Sequence, residues 1–127
     1  MRGGKRILIA DDAVGSRELV RYILEGCGHE VIEAEDGEQA LAQAEVCGPD
    51  LVILDLQMPK VDGYKVASTL RRTAKFAKTP ILALSAAITQ TAPERLAAAG
   101  FSSYLVKPIG PARLRQCVAS LLKRAAS

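Results

Sequence analysis

The chain predicts an α/β fold in which five β-strands alternate strictly with five α-helices, forming an open, doubly wound parallel sheet with helices on both faces. Two observations carry this. Apolar runs of about five residues recur along the chain, and each is followed by a segment of helical period. Turn residues and glycines close each pair, so no linker, repeat or low-complexity stretch breaks the alternation. Strict β/α alternation implies a parallel sheet with right-handed crossovers. Five strands suit an open sheet and are too few for an eight-stranded barrel.

The elements follow in order. "RILIA" (6–10) is a strand ending at Asp11 and Asp12. Residues 15–28 are a helix with Leu19, Val20, Ile23 and Leu24 on one face, stopped by Gly26 and Gly28. "EVIEA" (30–34) is the second strand. The helix over 36–48 has Asp36 as N-cap and Gly48 as its stop. "DLVILD" (50–55) is apolar on both faces, as a central parallel strand should be.

A helix over 63–74 turns Val66, Ala67 and Leu70 inward, and "PILALS" (80–85) is a second fully apolar strand. An Ala-rich helix over 91–100 ends at Gly100, and "SYLVK" (103–107) is the fifth strand. The last helix, 110–125, carries Leu114, Val118, Leu121 and Leu122 on one stripe.

Composition narrows the function classes. With 127 residues and 49% hydrophobic content, the chain suits one domain (1–127, core about 6–122) with a real core. The net charge of +3 comes from 17 basic and 14 acidic residues. Basic residues concentrate at the ends, at Arg2, Lys5 and Arg6 and again at Arg113, Arg115, Lys123 and Arg124. With aromatics at only 4%, this reads as solvated surface and not as a nucleic-acid patch. Cys27, Cys47 and Cys117 are widely spaced and His29 is the sole histidine, so a structural zinc site is not expected. Three reduced, mostly packed thiols in a cytoplasmic protein are the expectation. The first apolar run is too short for a signal-peptide core, and nothing approaches a membrane span.

In a sheet of this type, ligands bind beyond the carboxyl ends of the strands. There the chain places Asp11 and Asp12, Asp55, Ser85, and Lys107 followed by Pro108. Taken singly, an Asp at a strand end is usually a cap or turn residue, the role assigned to Asp36, Asp50 and Asp62. Lys107 alone would be a surface lysine and Ser85 alone a helix cap. Together they place three carboxylates, a hydroxyl and an ammonium at one edge. Close carboxylates repel each other, and a divalent cation relieves this. Oxygen ligands suit Mg²⁺. A carboxylate can act as nucleophile and form an aspartyl phosphate, with Lys107 and the cation neutralising the phosphoryl charge.

"ILIADD", "LVILDLQMPKVDG", "ILALSA" and "YLVKP" stand in the order found in response-regulator receiver domains of bacterial two-component signalling, which the chain resembles from about residue 6 to 122. The spacing fits as well, with 30 residues from Asp55 to Ser85 and 52 from Asp55 to Lys107. The resemblance implies a flavodoxin-like (CheY-like) fold and a phosphoacceptor in a phosphorelay, which catalyses only its own phosphorylation and dephosphorylation. It implies that Asp55 accepts the phosphoryl group from a phosphohistidine of a sensor histidine kinase or histidine phosphotransfer protein. Asp11, Asp12, Asp55 and the Gln57 carbonyl would hold Mg²⁺. Ser85 and Lys107 would contact the phosphoryl group, and Lys107-Pro108 matches the family's cis peptide. Tyr104 matches the aromatic switch that moves with Ser85. Gln57 and Ala87 would border the path of an attacking water, which suggests an acyl phosphate that is not unusually long-lived.

Three alternatives are weaker. An aspartate-nucleophile phosphohydrolase would carry a DxD motif, whereas Asp55 is followed by Leu56 and Gln57. A nucleotide-binding module would show GxxxxGK[ST] or GxGxxG, and neither occurs. A phosphorylation-independent interaction module would not need the intact set of five site residues. The chain could be a stand-alone regulator or the receiver of a larger protein. In a stand-alone regulator, output would run through protein binding on the 91–123 face, with Leu96 and Ala97 beside Arg95, Arg113 and Arg115, without direct contact to DNA or membrane.

Overall fold

The computed structural model describes residues 4–86 and 93–126. Its strands are β1 (Arg6–Ala10), β2 (Glu30–Ala34), β3 (Leu51–Asp55), β4 (Ile81–Ser85) and β5 (Ser103–Val106). Its helices are α1 (Val14–Gly26), α2 (Gly37–Cys47), α3 (Gly63–Arg72), α4 (Pro93–Ala99) and α5 (Pro111–Ala126). A 3-10 turn, Ala74–Phe76, follows α3. All pairings are parallel, in the order β2-β1-β3-β4-β5. The expected flavodoxin-like (βα)₅ sheet is therefore present.

Side-chain alternation along the strands divides the core in two. Ile7, Ile9, Leu51, Ile53, Leu82 and Leu84 face α1 and α5, meeting Val20, Ile23, Leu24, Leu114, Val118 and Leu121. Leu8, Ala10, Val52, Leu54, Ile81 and Ala83 face α2, α3 and α4, meeting Ala40, Ala44, Val66, Ala67, Leu70 and Leu96. β3 and β4 are buried at every position, because helices cover both of their faces.

The helix starts follow local chemistry. Asp36 caps α2 by accepting from the Gln39 N–H, and Asp62 caps α3 by accepting from the Lys65 N–H. Gly48 closes α2 in the left-handed conformation at φ 56°. Gly63 is required for a different reason, since a Cβ there would strike the Asp55 carbonyl oxygen. The absent side chain lets α3 start directly against the end of β3.

The structure corrects several expectations. Leu19 is 42% exposed and lies off the inward face of α1, where Arg17 sits instead at 8%. Leu96 is buried in the core, so it contributes nothing to the surface proposed for 91–123. Cys27 is exposed and not packed. β5 ends at Val106, which leaves Lys107 just beyond the strand. Helix α3 stops at Arg72, earlier than expected. The start of the helix expected from 91, and Ala87, lie outside the described residues.

Arg71 joins loops that the sheet does not connect. Its guanidinium donates to the carbonyls of Gly100 (2.9 Å), Phe76 (2.9 Å) and Thr79 (2.6 Å). Removing it leaves several carbonyls short of a donor, each costing roughly 1 kcal/mol or more where water cannot replace it. Arg71→Ala is expected to lower the unfolding free energy by about 2–4 kcal/mol in urea titrations. Arg71→Lys should recover only part of this, because one ammonium cannot span the fork's acceptors.

Candidate functional site

Asp11 and Asp12 follow β1, Asp55 ends β3, Ser85 ends β4 and Lys107 follows β5. The strand order reverses between β1 and β3, and the carboxylates emerge at that switch point. Carboxylate oxygens of Asp11, Asp12 and Asp55 lie within 4.8 Å of one another. Among the described residues, this is the only group of three or more such potential ligands. Asp11 is fully buried, Asp55 is 6% exposed, and Asp12 faces solvent.

Lys107 crosses the edge to this cluster. Its Nζ donates to Asp11 Oδ2 at 2.9 Å and to Asp55 Oδ2 at 3.4 Å. Its backbone N–H donates to the Ser85 carbonyl at 2.8 Å, and the Lys107-Pro108 peptide is cis. Asp55 Oδ1 accepts from the Gln57 N–H at 3.2 Å, and Asp11 Oδ1 accepts from the Ala13 N–H at 2.9 Å. Ser85 is buried at the edge of a cleft of about 780 Å³ lined also by Asp12, Gln57, Met58, Tyr64 and Arg95.

The electrostatics differ between the two buried acids. Burial pushes the Asp55 carboxyl up to about 6, helped by the Asp11 charge and opposed by the Gln57 N–H and Lys107. Burial also acts to raise Asp11, but the Lys107 hydrogen bond and the Ala13 N–H overcome it, so Asp11 lies below its ordinary value. Burial acts to lower the Lys107 ammonium, and its two carboxylate partners raise it above its ordinary value. Asp55 is therefore ionised at neutral pH but poorly solvated, a suitable state for a nucleophile or a cation ligand.

Tyr104 is half-buried and packs on the α4 side of the sheet. It pairs in register with Ala83, two residues before Ser85, so Tyr104 and Ser85 share a face. His29 lies away from the acids, its Nδ1 accepting from the Lys5 N–H. Arg17 escaped the sequence reading. Its signal was present, since position 17 lies on the inward stripe with Val20 and Leu24.

The response regulator receiver domain family matches residues 7–119. The chain is 38% identical over 122 residues to the probable transcriptional regulator ycf27 of Cyanophora paradoxa, covering 94% of this chain and 49% of the relative. It thus spans about half the length of the curated relatives it matches. Among solved structures, chemotaxis protein CheY4 of Vibrio cholerae superposes with a TM-score of 0.88 at 30% identity, covering 94% of this chain and 99% of that one. The receiver domain of sensor histidine kinase PA1611 from Pseudomonas aeruginosa gives 0.87 at 29% identity over 95% and 99%, and has a magnesium ion coordinated in its active site cleft. The fold and the acidic edge define a receiver of two-component signalling. The chain belongs to the response-regulator receiver domain family, whose members act on their own aspartate and do not turn over a separate substrate.

Proposed function

We propose that Asp55 accepts a phosphoryl group from a partner's phosphohistidine, and that Ser85 and Tyr104 convert this into a change in partner binding. The observation that carries the reading is the juxtaposition of Asp55, Lys107 and two further carboxylates at one sheet edge.

The donor set fits Mg²⁺. All ligands are hard oxygens, one carboxylate faces water, and buried Asp11 and Asp55 carry more negative charge than Lys107 alone offsets. Asp11, Asp12 and Asp55 would hold the ion together with the Gln57 carbonyl. When bound, the ion neutralises charge on the transferring phosphoryl oxygens.

The chain's own residues do the rest. An ionised Asp55 oxygen attacks phosphorus, the P–N bond to the imidazole breaks, and the electron pair leaves with the imidazole nitrogen. Lys107 is already within reach of Asp55 Oδ2 and would pair with the incoming phosphoryl oxygens. The Ser85 hydroxyl would donate to another. Water later attacks the same phosphorus, and Asp55 departs as the carboxylate. Because Ser85 and Tyr104 share one face, a shift of Ser85 towards the phosphoryl group frees space on the side where Tyr104 packs.

A histidine kinase or histidine phosphotransfer protein is the proposed donor, and a protein contacting the α4–β5–α5 side is the proposed reader. Arg95 and Arg113 are exposed there, whereas Arg115, expected on this face, is exposed on the α1 side of α5, beside Leu19 and Tyr22. Among the described residues, no helix is long and apolar enough to cross a membrane. A cytoplasmic location is part of the proposal.

The test is intact mass spectrometry after incubation with acetyl phosphate. A single phosphoryl adduct is expected with MgCl₂ and none with EDTA. An adduct that forms equally well in EDTA would rule out the cation's part in this reading.

A further inference from the structure

We propose that Arg17 is a positioning residue for the Asp11–Asp12 segment and sets its affinity for Mg²⁺. The proposal rests on the reading that this segment holds the ion. Arg17 is 8% exposed, on the inward face of α1. Its Nη1 donates to the Asp11 backbone carbonyl at 2.7 Å, and its Nε donates to Glu33 Oε1 on β2 at 2.7 Å. Glu33 Oε2 in turn accepts from Arg21 Nη1 at 2.6 Å, and Arg21 pairs with Glu25 one turn on. One planar guanidinium therefore ties the peptide that carries the buried acid to the neighbouring strand.

At the start of α1, the Ser16 side chain hydrogen-bonds the Asp11 carboxylate, and among the described residues nothing but Arg17 holds the Asp11 carbonyl. Ala13 stands at the N-cap position without a capping side chain. The loop is held from within by Asp11 Oδ1 on the Ala13 N–H, which only works if the Asp11 peptide itself is fixed. The strand bond from the Asp11 N–H to the Ala34 carbonyl fixes one side of that residue, and Arg17 fixes its carbonyl on the other. Releasing the carbonyl lets the Asp11 and Asp12 carboxylates drift apart from Asp55.

Positioning and simple charge effects predict opposite orders. Arg17 and Glu33 cancel as a pair. By charge alone, Arg17→Met removes a positive charge near the acids and should tighten a cation, while Glu33→Gln removes a negative one and should weaken it. By positioning, Arg17→Met weakens the cation, whereas Glu33→Gln keeps an acceptor for Nε and leaves the carbonyl contact in place.

Calorimetric titration with MgCl₂ decides between them, with circular dichroism and melting curves on each variant. Arg17→Met is expected to raise the Mg²⁺ Kd by about tenfold, the low end for outer partners of metal ligands, and Glu33→Gln by less than about twofold. The Ala13 amide resonance should shift in Arg17→Met and stay near its place in Glu33→Gln. Arg17→Lys reaches only one acceptor at a time and should fall between; it serves if Arg17→Met does not fold. A folded Arg17 variant that binds Mg²⁺ as tightly as the wild type overturns the proposal. Wild-type protein that binds no Mg²⁺ overturns instead the functional reading beneath it.

Discussion

Asp55→Asn is expected to abolish the proposed phosphoryl adduct and, in EDTA at pH 8, to raise the unfolding free energy by about 2–3 kcal/mol. The second effect follows from the raised Asp55 pKa. The native carboxyl titrates at about 6, against an ordinary value of 3.8. Between these values the native state binds the proton that the unfolded chain has already released, so stability falls as pH rises through that window. Above pH 6 the whole cost of the buried charge is present. Asparagine removes the charge at nearly constant shape. Urea unfolding of wild type and variant should therefore diverge as pH climbs from 4 to 8, and MgCl₂ should narrow the gap by stabilising only the wild type. Equal stability of the two proteins at pH 8 would show that burial imposes no such cost on Asp55.

Lys107→Met has the opposite sign. It leaves Asp11, with no exposed surface, and Asp55 facing each other without the ammonium that touches both. Breaking a buried pair from one side costs about 3–5 kcal/mol, and that loss is expected at pH 8 in EDTA. Asp11 is held below its ordinary pKa largely by this lysine. The stability that this depression contributes is present above the unfolded pKa and is lost as pH falls through the native one. That loss lies below pH 3.8 and does not reach this range. The penalty of Lys107→Met should still shrink towards pH 4, because without the ammonium, burial pushes both Asp11 and Asp55 up and they take on protons there. Unfolding curves at pH 4.5 and 8 measure this, and Mg²⁺ should restore much of the loss by taking up the same negative charge. Phosphorylation by acetyl phosphate should slow sharply even in the refolded, Mg²⁺-loaded variant.

The strands were legible because parallel sheets bury both faces of each strand, which forces the first polar residue to the end. Asp11, Asp55 and Ser85 were all found by that rule. The caps Asp36 and Asp62 and the stop at Gly48 were legible for local reasons, since each acts within four residues of itself. The misreadings concern residues whose environment comes from elsewhere. Leu19 is apolar, so composition drew the α1 stripe one position off, while the side chain actually turned inward is charged. Arg17 is buried because its acceptors sit on Asp11 and on β2, and a hydropathy pattern does not carry that information. Leu96 belongs to an Ala-rich helix of only seven residues, too short and too uniform to declare its inward face. Arg71 carries no mark in the sequence, because its carbonyl acceptors run as far as Gly100, 29 positions away.

The reversal of strand order between β1 and β3 has a consequence for how the molecule comes into being. The three acids are supplied by two strands separated by more than forty residues of chain, and the lysine by a third strand further still. Every cut between residues 12 and 107 leaves each fragment without part of the set. A cation that needs all three carboxylates therefore requires β1 and β3 to be paired side by side. At a hundredfold excess over its Kd, such a ligand adds about 2.7 kcal/mol to the folded state. Pairing of β1 with β3 and completion of the carboxylate cluster are thus a single event.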